Sequence, residues 1–308
     1  MRAVITARVL LLLGLSTIAW AQTFRSAVDL VSFGVVVQDR KGSFITDLRA
    51  EDFSITEEGR GQTIKFFARG DDEVAGPEMH LGLLFDTSGS MEEDMRQSKS
   101  AAIKFLNLLP RAADMTVVDF DTEVRAFRYG QDDFPRVVER IRARKADGWT
   151  ALYDALGVYL DGASSQDGRK VLVLYTDGGD TRSHISFSDT ITLLKASDVT
   201  AYVVGFLAHQ SSSTRMEQQM KLQQIAEQSG GQAFFPNVAD DLEGAYEKVL
   251  ADIRSQYILG YVSTNQKADG TWRDVEIKLT RKDLRNVKLR SRRGYFAPYR
   301  ESRAPGPQ

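Results

Sequence analysis

The 308-residue chain predicts an α/β fold, a doubly wound, mainly parallel sheet inserted in a smaller β-sandwich made by the two ends of the chain. Three observations predict it. Between residues 78 and 255, short apolar runs alternate with amphipathic stretches of helical period, as in a parallel sheet covered on both faces. On either side of that block, β-branched runs punctuated by turn residues replace the helical period. Each flank holds only about three strands, too few to hide its edges, so one sandwich shared by residues 26–70 and 257–298 is the economical arrangement.

The elements follow in order. Val28–Gln38 reads as a strand before the turn Asp39–Ser43. Phe53–Thr56 and Thr63–Phe67 alternate around a turn at Glu57–Gly61. Gly70–Gly76, acidic and followed by Pro77, is a linker. His80–Phe85 is an apolar strand ending in Asp86, and Met91–Leu109 a helix with Met95, Ala102, Phe105, Leu106 and Leu109 on one face. Strands at Met115–Phe120 and Glu123–Tyr129 precede helices at Phe134–Ala143 and Leu152–Leu160. The strand Val171–Tyr175 runs into Thr176-Asp177-Gly178. The helix Ser188–Ala196, the strand Thr200–Phe206 and the helix Glu217–Gln228 come next, with Gly230-Gly231 as a left-handed cap. Ala233–Phe235 is a short strand and Asp240–Ser255 a helix with acids in its first turn. Strands return at Tyr257–Val262, Val275–Leu279 and Val287–Arg292, and residues 299–308 read as a disordered tail.

Composition narrows the function. Residues 1–21 have Arg2 and Arg8 before the apolar run Val9–Leu15 and close on Ala19-Trp20-Ala21, the form of a cleaved signal peptide. No later stretch reaches the ~20 apolar residues of a membrane helix, so the expectation is an exported protein, periplasmic or extracellular, without an integral membrane segment. A net charge of −2 carries no basic excess for nucleic acid. The absence of cysteine excludes disulfides, thiolate zinc sites, iron–sulfur clusters and cysteine nucleophiles. His80, His184 and His209 are not spaced as a zinc motif, and no GxSxG elbow or phosphate-binding P-loop is present. Asp119-Phe120-Asp121-Thr122-Glu123 resembles the aspartyl nucleophile motif of haloacid-dehalogenase-like phosphatases but has Glu123 where Thr or Val is needed, which leaves strand-end solvation. Twelve Lys/Arg against five Asp/Glu between Lys267 and Arg303 read as a solvated sheet face, with an anionic-surface patch as the lesser reading.

The loop Asp86-Thr87-Ser88-Gly89-Ser90 lies at the carboxyl end of a strand, where ligands bind open α/β sheets. One carboxylate and two hydroxyls converge there, and hard oxygen donors suit Mg²⁺, Mn²⁺ or Ca²⁺. Phosphate competes for a helix start, but Asp86 would repel it. A cation there opposes the helix dipole by roughly 0.3–1 kcal/mol, which asks for a second carboxylate. Asp177 ends another apolar strand, and Thr150 in Gly148-Trp149-Thr150-Ala151 offers a further hydroxyl. Taken singly, Ser88 and Ser90 read as helix caps, Glu92, Glu93 and Asp94 as first-turn acids, and Asp180 as a turn residue.

Together, Asp86, Ser88, Ser90, Thr150 and Asp177 follow the Asp-x-Ser-x-Ser…Thr…Asp pattern of a von Willebrand factor type A domain with an intact metal-ion-dependent adhesion site, which the chain resembles between His80 and Ser255. Through Asp52–Gly59, Tyr257–Tyr261 and Arg293-Gly294-Tyr295 the flanks resemble exported bacterial proteins with a "VWFA-related" domain, of the kind known from Acidobacteria. The resemblance implies a Rossmann-like sheet carrying a divalent ion, usually Mg²⁺. It makes Ser88, Ser90 and Thr150 direct ligands, with Asp86 and Asp177 acting largely through water and balancing charge. One coordination position stays open for the Asp or Glu carboxylate of a protein partner, in a non-enzymatic adhesion module. An envelope scaffold bound through the sandwich is the alternative. A metal-dependent hydrolase is disfavoured, because no His or Glu is placed near the loop as general base.

Overall fold

The computed structural model describes residues 30–72, 76–109, 111–284 and 286–299; residues 1–21, expected to be a signal peptide, and residues 300–308 of the expected tail lie outside the described residues. The amino-terminal flank supplies β1 (Leu30–Gln38), β2 (Phe53–Glu57), β3 (Arg60–Gln62) and β4 (Ile64–Arg69). The middle of the chain runs β5 (Met79–Asp86), α1 (Met95–Leu108), β6 (Asp114–Phe120), β7 (Val124–Gly130), α2 (Phe134–Ala143), α3 (Leu152–Ala163), β8 (Arg169–Thr176), α4 (Phe187–Ala196), β9 (Thr200–Gly205), α5 (Ser212–Gln228), β10 (Ala233–Phe234) and α6 (Leu242–Ser255). The carboxyl-terminal flank supplies β11 (Tyr257–Val262), β12 (Trp272–Leu279), β13 (Lys288–Arg290) and β14 (Gly294–Phe296).

The middle segment forms a six-stranded sheet of order β10-β9-β8-β5-β6-β7. Every pair is parallel except the edge strand β7, which runs antiparallel to β6. β5 and β9 are buried at every residue, which is why they are unbroken apolar runs rather than alternating ones. Helices α1, α2 and α6 cover one face through Phe105, Val137, Ile141, Tyr246 and Val249. Helices α3, α4 and α5 cover the other through Leu156, Leu160, Leu194, Leu222 and Ile225. The expected cap after α5 is present: Gly230 has φ of 79°, and Gly231 N–H donates to the Ala226 carbonyl at 2.9 Å.

The flanks interleave as the sequence predicts. One four-stranded sheet has the order β13-β1-β11-β4, in which strands of the two ends alternate, and the other β14-β12-β2-β3, in which β12 of the carboxyl-terminal flank pairs with β2 of the amino-terminal one. Their facing sides bury Phe33, Val35, Phe53 and Ile55 against Tyr257, Leu259, Tyr261, Val275 and Ile277. Glu57 is buried between the sheets and accepts hydrogen bonds from Tyr261 Oη at 2.8 Å, Ser263 Oγ at 2.7 Å and Tyr295 Oη at 3.0 Å.

Local details differ from expectation. Glu58 and Gly59 both adopt left-handed conformations, φ 49° and 74°. A two-residue turn of that kind needs no more chain, so the hairpin partner of β2 is Arg60–Gln62 rather than Thr63–Phe67. β4 instead crosses to the other sheet beside β11. Helix α1 begins at Met95, after a 3-10 turn at Gly89–Met91. β14 is a three-residue strand with no sequence signal, and Tyr299, read as tail, bridges to Asp269. Asp119 is not a solvated strand end: it is buried and paired with Arg125 at 2.8 Å, Arg140 at 2.5 Å and Arg144 at 3.1 Å.

The basic carboxyl-terminal strands are not wholly a solvated face either. Arg290 pairs with buried Asp252 of α6, and Arg292 donates to the carbonyls of Ser197 at 3.1 Å and Ser32 at 2.7 Å. From the other side, Arg169 donates to the Gly70 carbonyl at 3.3 Å and the Ile253 carbonyl at 2.7 Å. These arginines fasten the sandwich to the parallel sheet.

Candidate metal centre

β5 lies where the sheet reverses its order, with β6 on one side and β8 on the other. The loops leaving the carboxyl ends of β5 and β8 therefore diverge and open a crevice. Asp86 ends β5, Ser88 and Ser90 follow in its loop, Asp177 follows β8, and Thr150 precedes α3.

Backbone hydrogen bonds stitch these loops together. Gly89 N–H donates to the Gly148 carbonyl at 3.0 Å, and Asp147 N–H to the Thr87 carbonyl at 2.9 Å. The Thr150 carbonyl accepts from Thr181 and Arg182 N–H at 2.9 and 3.0 Å, and Thr150 N–H donates to Thr181 Oγ1 at 2.9 Å. Gly148 has φ of 73°, and a Cβ there would stand 2.4 Å from Thr122 Oγ1, so only glycine fits this turn.

Asp86 is fully buried. Its carboxylate accepts from Ser88 N–H at 2.9 Å and from Thr176 Oγ1 at 2.6 Å. The Ser88 and Ser90 hydroxyls lie 3.2 Å apart, with Ser90 close enough to Asp177 to favour its charged form. Burial, and then the Asp177 charge, push the Asp86 carboxyl up to about 7. Asp177 is also raised, first by burial; Asp94 adds to this, while Ser90 and His209 oppose it. The structure thus brings Asp86, Ser88, Ser90 and Asp177 together, and holds Thr150, buried, two residues beyond the Gly89–Gly148 contact.

The residues present fit a hard divalent cation. No lysine or arginine of the described residues pairs with Asp86 or Asp177, and the nearby neutral donors are hydroxyl oxygens. Among the described residues, no group of three or more His, Asp or Glu side chains offers a cage of the carboxylate–imidazole type. Two buried carboxylates beside hydroxyl oxygens are chemistry that suits Mg²⁺, Mn²⁺ or Ca²⁺.

This predicts a pH dependence. Because the Asp86 carboxyl is raised from 3.8 to about 7, the metal-free fold keeps a proton that the unfolded chain releases, and stability falls as pH rises through that window. A cation competes with the same proton. The melting-temperature gain from millimolar Mg²⁺ is expected to be small near pH ~6 and larger near pH ~8, read by thermal shift across a buffer series. A gain independent of pH would contradict it.

Some participants were not read from the sequence. Thr176 holds Asp86 from the end of β8, next to Asp177 in the chain. Asp94 is the residue before α1, buried, and lies 2.8 Å from His209 Nε2 rather than serving as a plain first-turn acid; Glu92 and Glu93 are exposed. Gln210 Nε2 donates to the Asp177 carbonyl at 3.2 Å, so the loop after β9 clasps the centre. That loop carries no motif that marks it. Asp180 has the expected turn role: its carboxylate accepts from Tyr153 N–H at 3.3 Å and from Ser183 N–H at 3.2 Å at the start of α3.

The fold and these loops define a class. The chain belongs to the von Willebrand factor type A domain family, whose sequence model matches residues 80–248. No curated protein matches it in sequence. Among solved structures it is similar to a von Willebrand factor type A protein from Catenulispora acidiphila, with a TM-score of 0.50 and 15% identity over 84% of this chain and 76% of that one. It is also similar to the vWF domain of the type V pili tip protein Mfa5 from Porphyromonas gingivalis, with a TM-score of 0.48 and 10% identity over 58% of this chain and 95% of that one. A third is proximal thread matrix protein 1 from the mussel byssus, a structure with a zinc-occupied MIDAS motif, with a TM-score of 0.43 and 20% identity over 61% of this chain and 48% of that one.

Proposed function

We propose that this is an exported, non-enzymatic adhesion module in which a divalent cation, Mg²⁺ in the first instance, bridges the chain to an acidic side chain of a protein partner. Ser88, Ser90 and Thr150 would ligate the ion through hydroxyl oxygens. Asp86 and Asp177 would balance its charge. The observation that carries this reading is the pair of adjoining buried carboxylates with no lysine or arginine paired to them. Two charges held out of water repel each other and raise each other's proton affinity. A divalent cation removes that cost, and neutral hydroxyl ligands leave it attractive to one more carboxylate.

Export rests on the form of residues 1–21. Among the described residues, no helix is long and apolar enough to cross a membrane.

Chelation tests the bridge. A partner held at this centre is expected to bind in millimolar Mg²⁺ and be released by EDTA, as measured by surface plasmon resonance with the full chain immobilised. Binding that survives EDTA would reject the bridge and leave the β-sandwich as the contact surface of a scaffold.

A further inference from the structure

We propose that Trp149 is the partner-anchoring residue of this centre, and that the segment it accepts carries a single Asp or Glu carboxylate beside an apolar side chain. The inference rests on the metal-bridge reading and adds the chemistry of the partner. Trp149 adjoins Thr150 in the chain, yet its side chain is 64% exposed whereas Thr150 is buried at 6%. Its backbone cannot easily retract to bury the indole. Trp149 N–H donates to Thr122 Oγ1 at 2.9 Å, and Gly148 before it sits in a left-handed turn with no space for a Cβ. A large, rigid aromatic side chain is thus exposed one residue from Thr150, a proposed ligand of the ion. An indole in that state buries much apolar area at low entropy cost, which is why tryptophan dominates binding hot spots.

Neighbouring features restrict what docks. A cavity of about 210 Å³ opens at Gly178, the residue after Asp177, and is lined also by Tyr153, Asp180, Gln218, Lys221 and Leu222. Gln218 Oε1 is buried there without a hydrogen-bond partner among the described residues. The exposed charges on the metal loops include Glu92 and Glu93 after Ser90 and Asp147 before Gly148, against Lys145 in the same loop as Asp147 and Arg182 beyond Thr181. A run of acids would be repelled by these carboxylates. One carboxylate flanked by an apolar residue would reach the ion and cover the indole.

The test is a displayed library of short peptides with a fixed central Asp or Glu and random flanks. It is selected on the full chain in millimolar Mg²⁺ and eluted with EDTA, using wild type, Trp149→Ala and Trp149→Phe. Wild type and Trp149→Phe are expected to enrich apolar residues next to the acid. Trp149→Ala should keep the need for Mg²⁺ and the acid, keep its Mg²⁺ thermal shift, lose the apolar preference, and bind the wild-type peptides about tenfold or more weakly. The same preference and affinity in Trp149→Ala would overturn the anchor alone. No Mg²⁺-dependent peptide from wild type would overturn the metal bridge, and the anchor with it.

Discussion

Deleting residues 257–308 is expected to unfold residues 30–70 as well, although the cut leaves them intact. β11 is the strand between β1 and β4, and β12 the strand between β14 and β2. Without them β1 and β4 have no partner left, and β2 with β3 is only a hairpin, marginal in water by itself. The sandwich core loses Tyr257, Leu259, Tyr261, Val275 and Ile277. All three hydroxyls that satisfy buried Glu57 leave with the deleted segment. Hydrogen exchange should show residues 30–70 unprotected. Protected strands and cooperative melting of that segment would contradict the shared sandwich.

The converse fragment, residues 78–255, keeps the whole six-stranded sheet and should fold, but at a cost located at Asp252. That carboxyl is buried and raised by burial, opposed by Arg290. Losing Arg290 removes the ion pair and leaves the carboxylate only Tyr202 Oη, at 2.7 Å, a loss of about 3–5 kcal/mol. The Asp252 value then rises further. An acid raised in the folded state favours folding at low pH and disfavours it as pH climbs, so the fragment should be more stable in mild acid than at neutrality. Asp252→Asn should recover most of the loss at neutral pH, read by urea denaturation.

Loss of the Mg²⁺ response in Asp86→Ala is the second large expected effect. Asp86 supplies charge and also fixes the serine loop, because its carboxylate accepts Ser88 N–H and Thr176 Oγ1. Alanine removes both roles and the repulsion between the two acids. The apo variant should therefore remain folded while its Mg²⁺ thermal shift and Mg²⁺-dependent partner binding disappear. Asp177→Asn keeps the side-chain shape and leaves Asp86 as the balancing carboxylate. Mg²⁺ is commonly held by one or two carboxylates, so this variant should bind weakly at low Mg²⁺ and recover in part as Mg²⁺ is raised. Equal Mg²⁺ titrations for wild type and Asp86→Ala would place the ion elsewhere.

The parallel sheet was legible because its strands are buried on both faces and so read as unbroken apolar runs. The five residues proposed for the site could be picked out because each sits where an apolar strand or a loop meets a helix. What escaped depends on contacts distant in sequence. His209 meets Asp94 across 115 residues, and nothing near either marks the pair. A count of basic residues could not separate Arg290 and Arg292, which are half-buried and bond to the parallel domain, from their solvated neighbours. Asp119 looked like an ordinary strand-end acid because the arginines that enclose it lie on β7 and on and just beyond α2. The switch of β4 between sheets follows from the two left-handed residues Glu58 and Gly59, and a Glu does not announce that conformation.

The most direct test of the metal centre is anomalous diffraction from crystals of the full chain grown with Mn²⁺. The account predicts one strong peak within coordination distance of Ser88 Oγ and Ser90 Oγ, between the Asp86 and Asp177 carboxylates, with one position held by water or by a carboxylate from another molecule. Ordered Mn²⁺ at other residues, with none between Asp86 and Asp177, would contradict it.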